Sequence, residues 1–146
     1  MKFKYLFLMM TAFALAACGA KREGIRPSDE DAFEDKTWVL TSYGVEDDLK
    51  TVLENTEITT VFIPDEAVVR GSSGCNHYFG NYEVTGNELS VSNIAFTEMA
   101  CLTPEGVMEQ EQLFLSVLAA VGSFQIQDNQ LTIFSTDDHI LEFKKK

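Results

Sequence analysis

The stretch that decides the fold is residues 80–91, GNYEVTGNELSV, in which two short apolar runs flank a turn. Apolar and polar residues alternate on both sides of Thr85-Gly86-Asn87, and Asn and Gly supply the positive φ that tight turns need. A period of two is typical of strands that are buried on one face. The stretch therefore predicts an antiparallel hairpin.

Apolar runs of similar length occur on both sides of this hairpin. Residues 45–55 are ambiguous, because they fit neither a strand period nor a helical period. Their β-branched and aromatic residues, separated by turn residues, favour about eight strands. The predicted strand segments are 38–43, 58–63, 67–70, 80–84, 89–91, 94–99, 123–126, 131–134 and 140–143.

One segment has helical spacing instead. Thr103 is a candidate N-cap, Pro104 suits the first helical position, and Gly122 marks the end. The apolar residues that repeat at this spacing are Val107, Phe114, Val117, Leu118 and Val121. A single amphipathic helix must bury its stripe on a sheet. We therefore predict an α+β fold, with antiparallel sheets forming a half-barrel around one amphipathic helix.

The amino terminus resembles an export signal. Residues 5–17 carry no charge and follow two lysines, and the run is too short to span a bilayer. Leu15-Ala16-Ala17-Cys18 resembles a bacterial lipobox, in which the cysteine is lipidated, typically with palmitate among the acyl chains. The next residue is Gly19 and not Asp. This resembles the bacterial lipoproteins that are sorted to the outer membrane rather than retained in the inner one. An ordinary signal peptide or an uncleaved anchor is the alternative.

The predicted organisation has three parts: a signal peptide at 1–17, a lipidated flexible tether at 18–35, and one folded domain at 36–146. The formal charge is −12, and loss of Lys2 and Lys4 with the signal makes it −14. That sign disfavours nucleic acid as a partner, because phosphate binding needs clustered basic residues. An acidic balance of this kind most simply serves solubility.

Residues 71–82, GSSGCNHYFGNY, resemble the signature of the META domain family, which includes the heat-shock lipoprotein HslJ. Thr97-Glu98-Met99-Ala100-Cys101 is similar to a second family motif. The motif positions are Gly74, Cys75, Asn76, Gly80, Tyr82, Thr97, Met99 and Cys101. Further likeness comes from Glu111, Phe114 and Leu118 in the helix and from Trp38 and Leu40 in the opening strand.

The resemblance implies a small extracytoplasmic or membrane-associated stress protein, with two antiparallel sheets wrapped around a helix. It implies no settled reaction and no cofactor. We expect a non-catalytic binding or assembly module at the outer membrane, facing the periplasm or the cell surface. Its expected partners are the membrane, through lipid on Cys18, and an envelope protein or a hydrophobic ligand.

Two readings of the remaining cysteines stay open. After Cys18 is used, Cys75 and Cys101 are an even pair in an oxidising compartment, which favours a disulfide. Alternatively, Cys75 is the nucleophile of a hydrolase or thiol enzyme, with His77 two residues along the same strand face and Asn76 beside it.

Other candidate sites are weaker. His77 and His139 are far apart in sequence, and no carboxylates stand at metal-ligand spacing, so no metal site is predicted. Aromatic residues on small β-domains are usually core, but they can also line a groove for an apolar ligand or peptide. The aromatic candidates are Tyr78, Phe79, Tyr82, Phe96 and Phe124.

Overall fold

The pairing of the first strand with the last determines this architecture. The computed structural model describes residues 33–146. The predicted signal peptide, the lipidation site Cys18 and the tether as far as residue 32 lie outside the described residues.

The described chain contains nine strands and one α-helix, with a 3-10 turn between the third and fourth strands. In chain order the elements are β1 (Trp38–Val45), β2 (Asp48–Thr51), β3 (Thr59–Ile63), the 3-10 turn (Pro64–Glu66), β4 (Val68–Ser72), β5 (His77–Thr85), β6 (Glu88–Phe96), α1 (Val107–Ala119), β7 (Val121–Gln127), β8 (Gln130–Ser135) and β9 (His139–Lys145). No helix among them has the length and apolar character needed to cross a membrane.

Eight of the strands form a closed antiparallel barrel in the order β1-β3-β4-β5-β6-β7-β8-β9. The closing pair is β1 with β9, in register from Trp38 opposite Lys145 to Val45 opposite His139. On its other edge, β1 pairs first with β3 and then with β2. The short strand β2 therefore lies outside the closed ring.

The predicted α+β half-barrel is wrong, because the strands close on themselves instead of leaving an open face for the helix. Periodicity indicates which residues form strands, but not which strands at opposite ends of the chain meet. Here the last strand returns to the first, so the backbone groups at the ends of the sheet are satisfied by each other. The short helix α1 is an addition to a fold that is mostly sheet.

The central hairpin forms as predicted. β5 and β6 pair with Thr85 opposite Glu88 across the turn. β6 continues to Phe96, so residues 94–96 of the predicted separate strand are the end of β6, and residues 97–99 lie in no strand. The register shifts between Phe79 and Asn81, where a bulge inserts one extra residue into β6.

The helix begins later than predicted. Thr103 and Pro104 lie in the loop before it, joined by a cis peptide bond, and Gly106 precedes the first helical residue with φ of 87°. The prediction that Thr103 caps the helix is therefore wrong. Thr103 and Pro104 belong to a turn in which the N–H of Val107 donates to the carbonyl of Pro104.

The folded part extends into the predicted tether. Phe33 is fully buried, and its ring lies 4.7 Å from that of Phe62 and 4.6 Å from that of Phe124, measured between centroids. The indole N–H of Trp38 donates to the carbonyl of Phe33 over 2.7 Å. The ring of Phe33 is therefore part of the barrel core, and the folded part begins before the predicted boundary at residue 36.

Candidate functional site

The first sequence motif forms a tight turn between β4 and β5. The backbone N–H of Ser73 donates to the carbonyl of Asn76 over 2.8 Å. Gly74 has φ of 108°, a conformation that side chains rarely adopt. The turn therefore needs glycine at this position and presents Cys75 at its tip.

The carboxylate of Glu111 holds this turn against α1. It is buried, with 3% of the residue exposed. It accepts hydrogen bonds from the Ser73 hydroxyl over 2.6 Å, from the Asn76 backbone N–H over 2.7 Å and from the Asn76 side-chain amide over 2.7 Å. Charged acceptors make such bonds stronger than neutral ones. The helix and the turn are therefore locked together.

The side chain of Asn76 joins the second motif to the first. Its Oδ1 accepts from the Thr97 hydroxyl over 2.7 Å and from the Met99 backbone N–H over 2.8 Å. Its Nδ2 also donates to the Met99 carbonyl over 3.1 Å. Every polar atom of the Asn76 side chain is thus bonded within the protein, which fits a structural hub.

A disulfide between Cys75 and Cys101 fastens the same two motifs covalently, with Cα atoms 5.9 Å apart. The sulfur of Cys75 is therefore bonded to sulfur and not available as a thiolate. His77, the partner proposed for a nucleophile, is exposed, and its backbone N–H donates to the Thr97 hydroxyl over 3.2 Å.

Two other motif residues serve the core of the sheet. Gly80 lies opposite the bulge of β6, where an added Cβ would stand 3.0 Å from the Ser92 carbonyl oxygen. Tyr82 is buried, and its hydroxyl donates to the Glu34 carboxylate. Burial, together with that carboxylate, raises the pKa of Tyr82 well above its usual range. Burial likewise raises the pKa of Tyr78.

Sequence reasoning missed Gln110, the neighbour of Glu111 on the helix. Gln110 is buried; its Oε1 accepts from the Leu53 backbone N–H over 2.8 Å, and its Nε2 donates to the Thr56 hydroxyl over 3.1 Å. The sequence does place the polar pair Gln110 and Glu111 at consecutive helical positions next to the apolar stripe, and this pattern could have indicated buried polar contacts. The helix thus connects the loop after β2 to the turn before β5.

The two histidines do not form a metal site with neighbours. His139 interacts with Asp137, with its Nδ1 3.4 Å from the carboxylate. A hydrogen bond from Ser135 is the main reason that the pKa of Asp137 lies below its usual value. Within residues 33–146 no group of three or more His, Cys, Asp or Glu side chains is placed to hold a metal ion.

An apolar groove of about 530 Å³ lies between the end of β6 and α1. Of the aromatic residues considered as groove candidates, Tyr78, Tyr82 and Phe124 are core, whereas Phe79 and Phe96 are exposed. Phe96 lines the groove and is 49% exposed. The groove is lined by Ile94, Phe96, Met108, Glu109, Glu111, Gln112, Leu115, Ser116 and Ala119.

The hydrogen-bond network around Asn76 adjoins the groove and holds part of its lining in place. Glu111 is part of both, since its carboxylate bonds the motif turn while the residue also lines the groove. The loop after β6 is held by the disulfide at Cys101 and carries two exposed apolar residues, Met99 and Leu102, the latter 89% exposed. The motif residues therefore hold the turn before β5, the loop after β6 and α1 together beside the groove.

Solved structures with the same fold include three of low sequence identity. An NMR structure of a protein from Burkholderia xenovorans is 23% identical, with a TM-score of 0.67 over 98% of this chain and 97% of that one. A second NMR structure is 24% identical, with a TM-score of 0.61 over 78% of this chain and 92% of that one. The crystal structure of a DUF4847 family protein from Bacteroides vulgatus is 14% identical, with a TM-score of 0.57 over 80% and 96%.

These likenesses show a shared fold. No curated protein matches the sequence significantly. The model of the META domain, in contrast, matches residues 31–146, which covers both motifs, α1 and all nine strands. Its boundary before Phe33 agrees with the burial of that side chain in the barrel core. This chain belongs to the META domain family.

Proposed function

We propose that this protein is a non-catalytic binding module of the bacterial cell envelope, tethered by lipid on Cys18, which binds a partner in the groove between β6 and α1. The observation that carries the proposal is the apolar groove itself. Its volume of about 530 Å³ lies within the range of ligand sites, and half-exposed Phe96 forms part of its wall. Exposed apolar surface of this kind marks interaction sites.

The covalent and hydrogen-bonded contacts of the motif residues support binding over catalysis. A thiol enzyme needs a free nucleophile with a base within hydrogen-bond reach and an orienting group. Cys75 is engaged in a disulfide, and the side chain of Asn76 is fully occupied by Glu111, Thr97 and Met99. Two of the three residues that the thiol-enzyme alternative requires are therefore already used to hold the framework.

The lipobox-like sequence that ends at Cys18 supports the membrane tether, Gly19 after it favours the outer membrane, and the family resemblance suggests a part in stress tolerance. Several acyl chains on one cysteine give lasting attachment, whereas one chain gives only marginal binding. The Cys18→Ser variant should move the protein from the membrane to the soluble fraction. A variant that stays in the membrane fraction after this substitution would contradict the lipid anchor.

Site-specific photo-cross-linking in intact cells tests the binding surface. The photoreactive residue is placed at Gln112, which is exposed and lines the groove, or at Ser90, which is exposed on the same strand as Phe96 but outside the groove. We expect one reproducible partner, identified by mass spectrometry, from the first position and not from the second. Equal products from both positions, or none from either, would count against the groove as a binding surface.

A further inference from the structure

The second edge of β6 is free over its last residues. β6 pairs with β5 from Glu88 to Phe96, but with β7 it shares only the pair of Glu88 and Ser123. An additional bond joins the Phe124 N–H to the Asn87 carbonyl over 3.0 Å. Beyond this junction no other described strand pairs with that edge of β6.

Ladder geometry tells which backbone groups point outward from the edge. The N–H of Thr97 donates to the carbonyl of His77 in the hairpin partner over 3.0 Å. Backbone groups alternate in direction along an antiparallel strand, so those of Ile94 and Phe96 point away from β5. These are the same two residues whose side chains line the groove. A row of unpaired donors and acceptors therefore borders an apolar cleft.

The bulge in β6 is the reason that the free edge and the groove meet at Phe96. Tyr82 is opposite Val91 and Tyr78 is opposite Phe96, so β6 uses one more residue than β5 over the same span. Without the extra residue, the exposed Ala95 rather than Phe96 would share a face with the buried ring of Tyr78. The bulge thus directs Phe96 toward α1 at the point where pairing with β7 has ended.

These features select a peptide as the occupant. Backbone N–H and C=O groups on an open edge bind another backbone by strand addition, with alternate side chains entering a neighbouring pocket. A lipid tail would fill the apolar cleft but leave those groups without partners.

The charges near the groove select the flanks of that peptide. Glu109 is exposed in its lining, and Glu98 and Glu105 are exposed on the loop between β6 and α1. None of the residues lining the groove is basic. Complementary charge on a partner raises its association rate and its specificity.

We infer that the free edge of β6 and the adjoining groove bind an extended apolar peptide segment with basic flanking residues, by strand addition. This inference rests on the proposed binding function and specifies its partner. Residues at alternate positions of the peptide would contact Phe96 and Leu115, while its backbone would pair with Ile94 and Phe96.

The test uses the full chain carrying Cys18→Ser and a synthetic peptide of alternating valine and threonine flanked by lysines. Two versions are N-methylated on alternate residues, one on each edge of the extended peptide. Strand addition predicts that one version binds normally, while the other weakens about fivefold for each bonded N–H that is lost. The amides of Ile94 and Phe96 should become protected from hydrogen exchange, and glutamate flanks should weaken binding.

Two matched variants control for the location. Ser116→Trp places a large side chain in the groove from an exposed helical position and should abolish peptide binding; Ser90→Trp, exposed on β6 but outside the groove, should leave it unchanged. Equal binding of both methylated versions, or binding of a fatty acid and not of the peptide, would overturn strand addition. If cross-linking at Gln112 still captures a partner in that case, the binding function stands and only its mode fails.

Discussion

The carboxylate of Glu111 is the single group whose loss should reveal how much the motif network stabilises the fold. Its Oε2 accepts from the Ser73 hydroxyl and the Asn76 backbone N–H, and its Oε1 accepts from the Asn76 amide. In Glu111→Gln one of these oxygens becomes an NH₂ group that faces a donor. Asn76 cannot turn its amide to compensate, because its oxygen already accepts from Thr97 and Met99.

The magnitude follows from the bonds that are lost. Hydrogen bonds to a charged acceptor contribute about 1.5 to 3 kcal/mol, and a buried donor without a partner costs about 1 to 3 kcal/mol. We expect Glu111→Gln to lower the free energy of unfolding by roughly 2 to 4 kcal/mol. Domains of this size are stable by about 5 to 15 kcal/mol, so the loss should be easy to measure.

Chemical denaturation followed by tryptophan fluorescence measures this change, because the buried Trp38 reports unfolding. The control is Glu109→Gln, which removes the same charge from an exposed position of the same helix and should change stability by less than about 0.5 kcal/mol. If the two variants unfold at the same denaturant concentration with equal slopes, Glu111 does not hold the motif turn in the way that its contacts indicate.

Three further changes test other parts of the framework. Replacing Cys75 and Cys101 together with serine should cost about 3 to 4 kcal/mol of loop-closure entropy for a sequence separation of 26, measured by denaturation; two titratable thiols in the denatured wild type before reduction would contradict the bridge. Phe33→Ala should cost about 3 to 5 kcal/mol because the ring is fully buried, whereas the exposed Phe79→Ala should cost less than about 1 kcal/mol; similar thermal midpoints would refute a core role for Phe33. Gly71→Ala should destabilise β4 strongly, since the new Cβ would stand 1.9 Å from a carbonyl oxygen of the facing strand; an unchanged melting temperature would show that the strands can separate freely there.

The local elements were largely predictable because their signals are local. The alternation around Thr85-Gly86-Asn87 specifies a hairpin whichever strands lie beside it, and the hairpin formed. The helix was found by its apolar spacing, but its start was misplaced at Thr103 because a capping residue and a turn residue share the same chemistry. The partners of Asn76 were not predictable, since the turn, the second motif and the helix are far apart in sequence.

The sequence by itself determined that this chain forms mostly strands with a single helix and which family it belongs to, because periodicity, turn residues and motif spacing are properties of neighbouring residues. Only the tertiary structure decided that the sheet closes into a barrel and that the last half of β6 keeps a free edge beside a groove. Closure depends on β1 meeting β9 across the whole chain, and the free edge depends on where β7 leaves β6. Such pairings are set by the total backbone bonding and burial of the fold, which no local stretch of residues encodes.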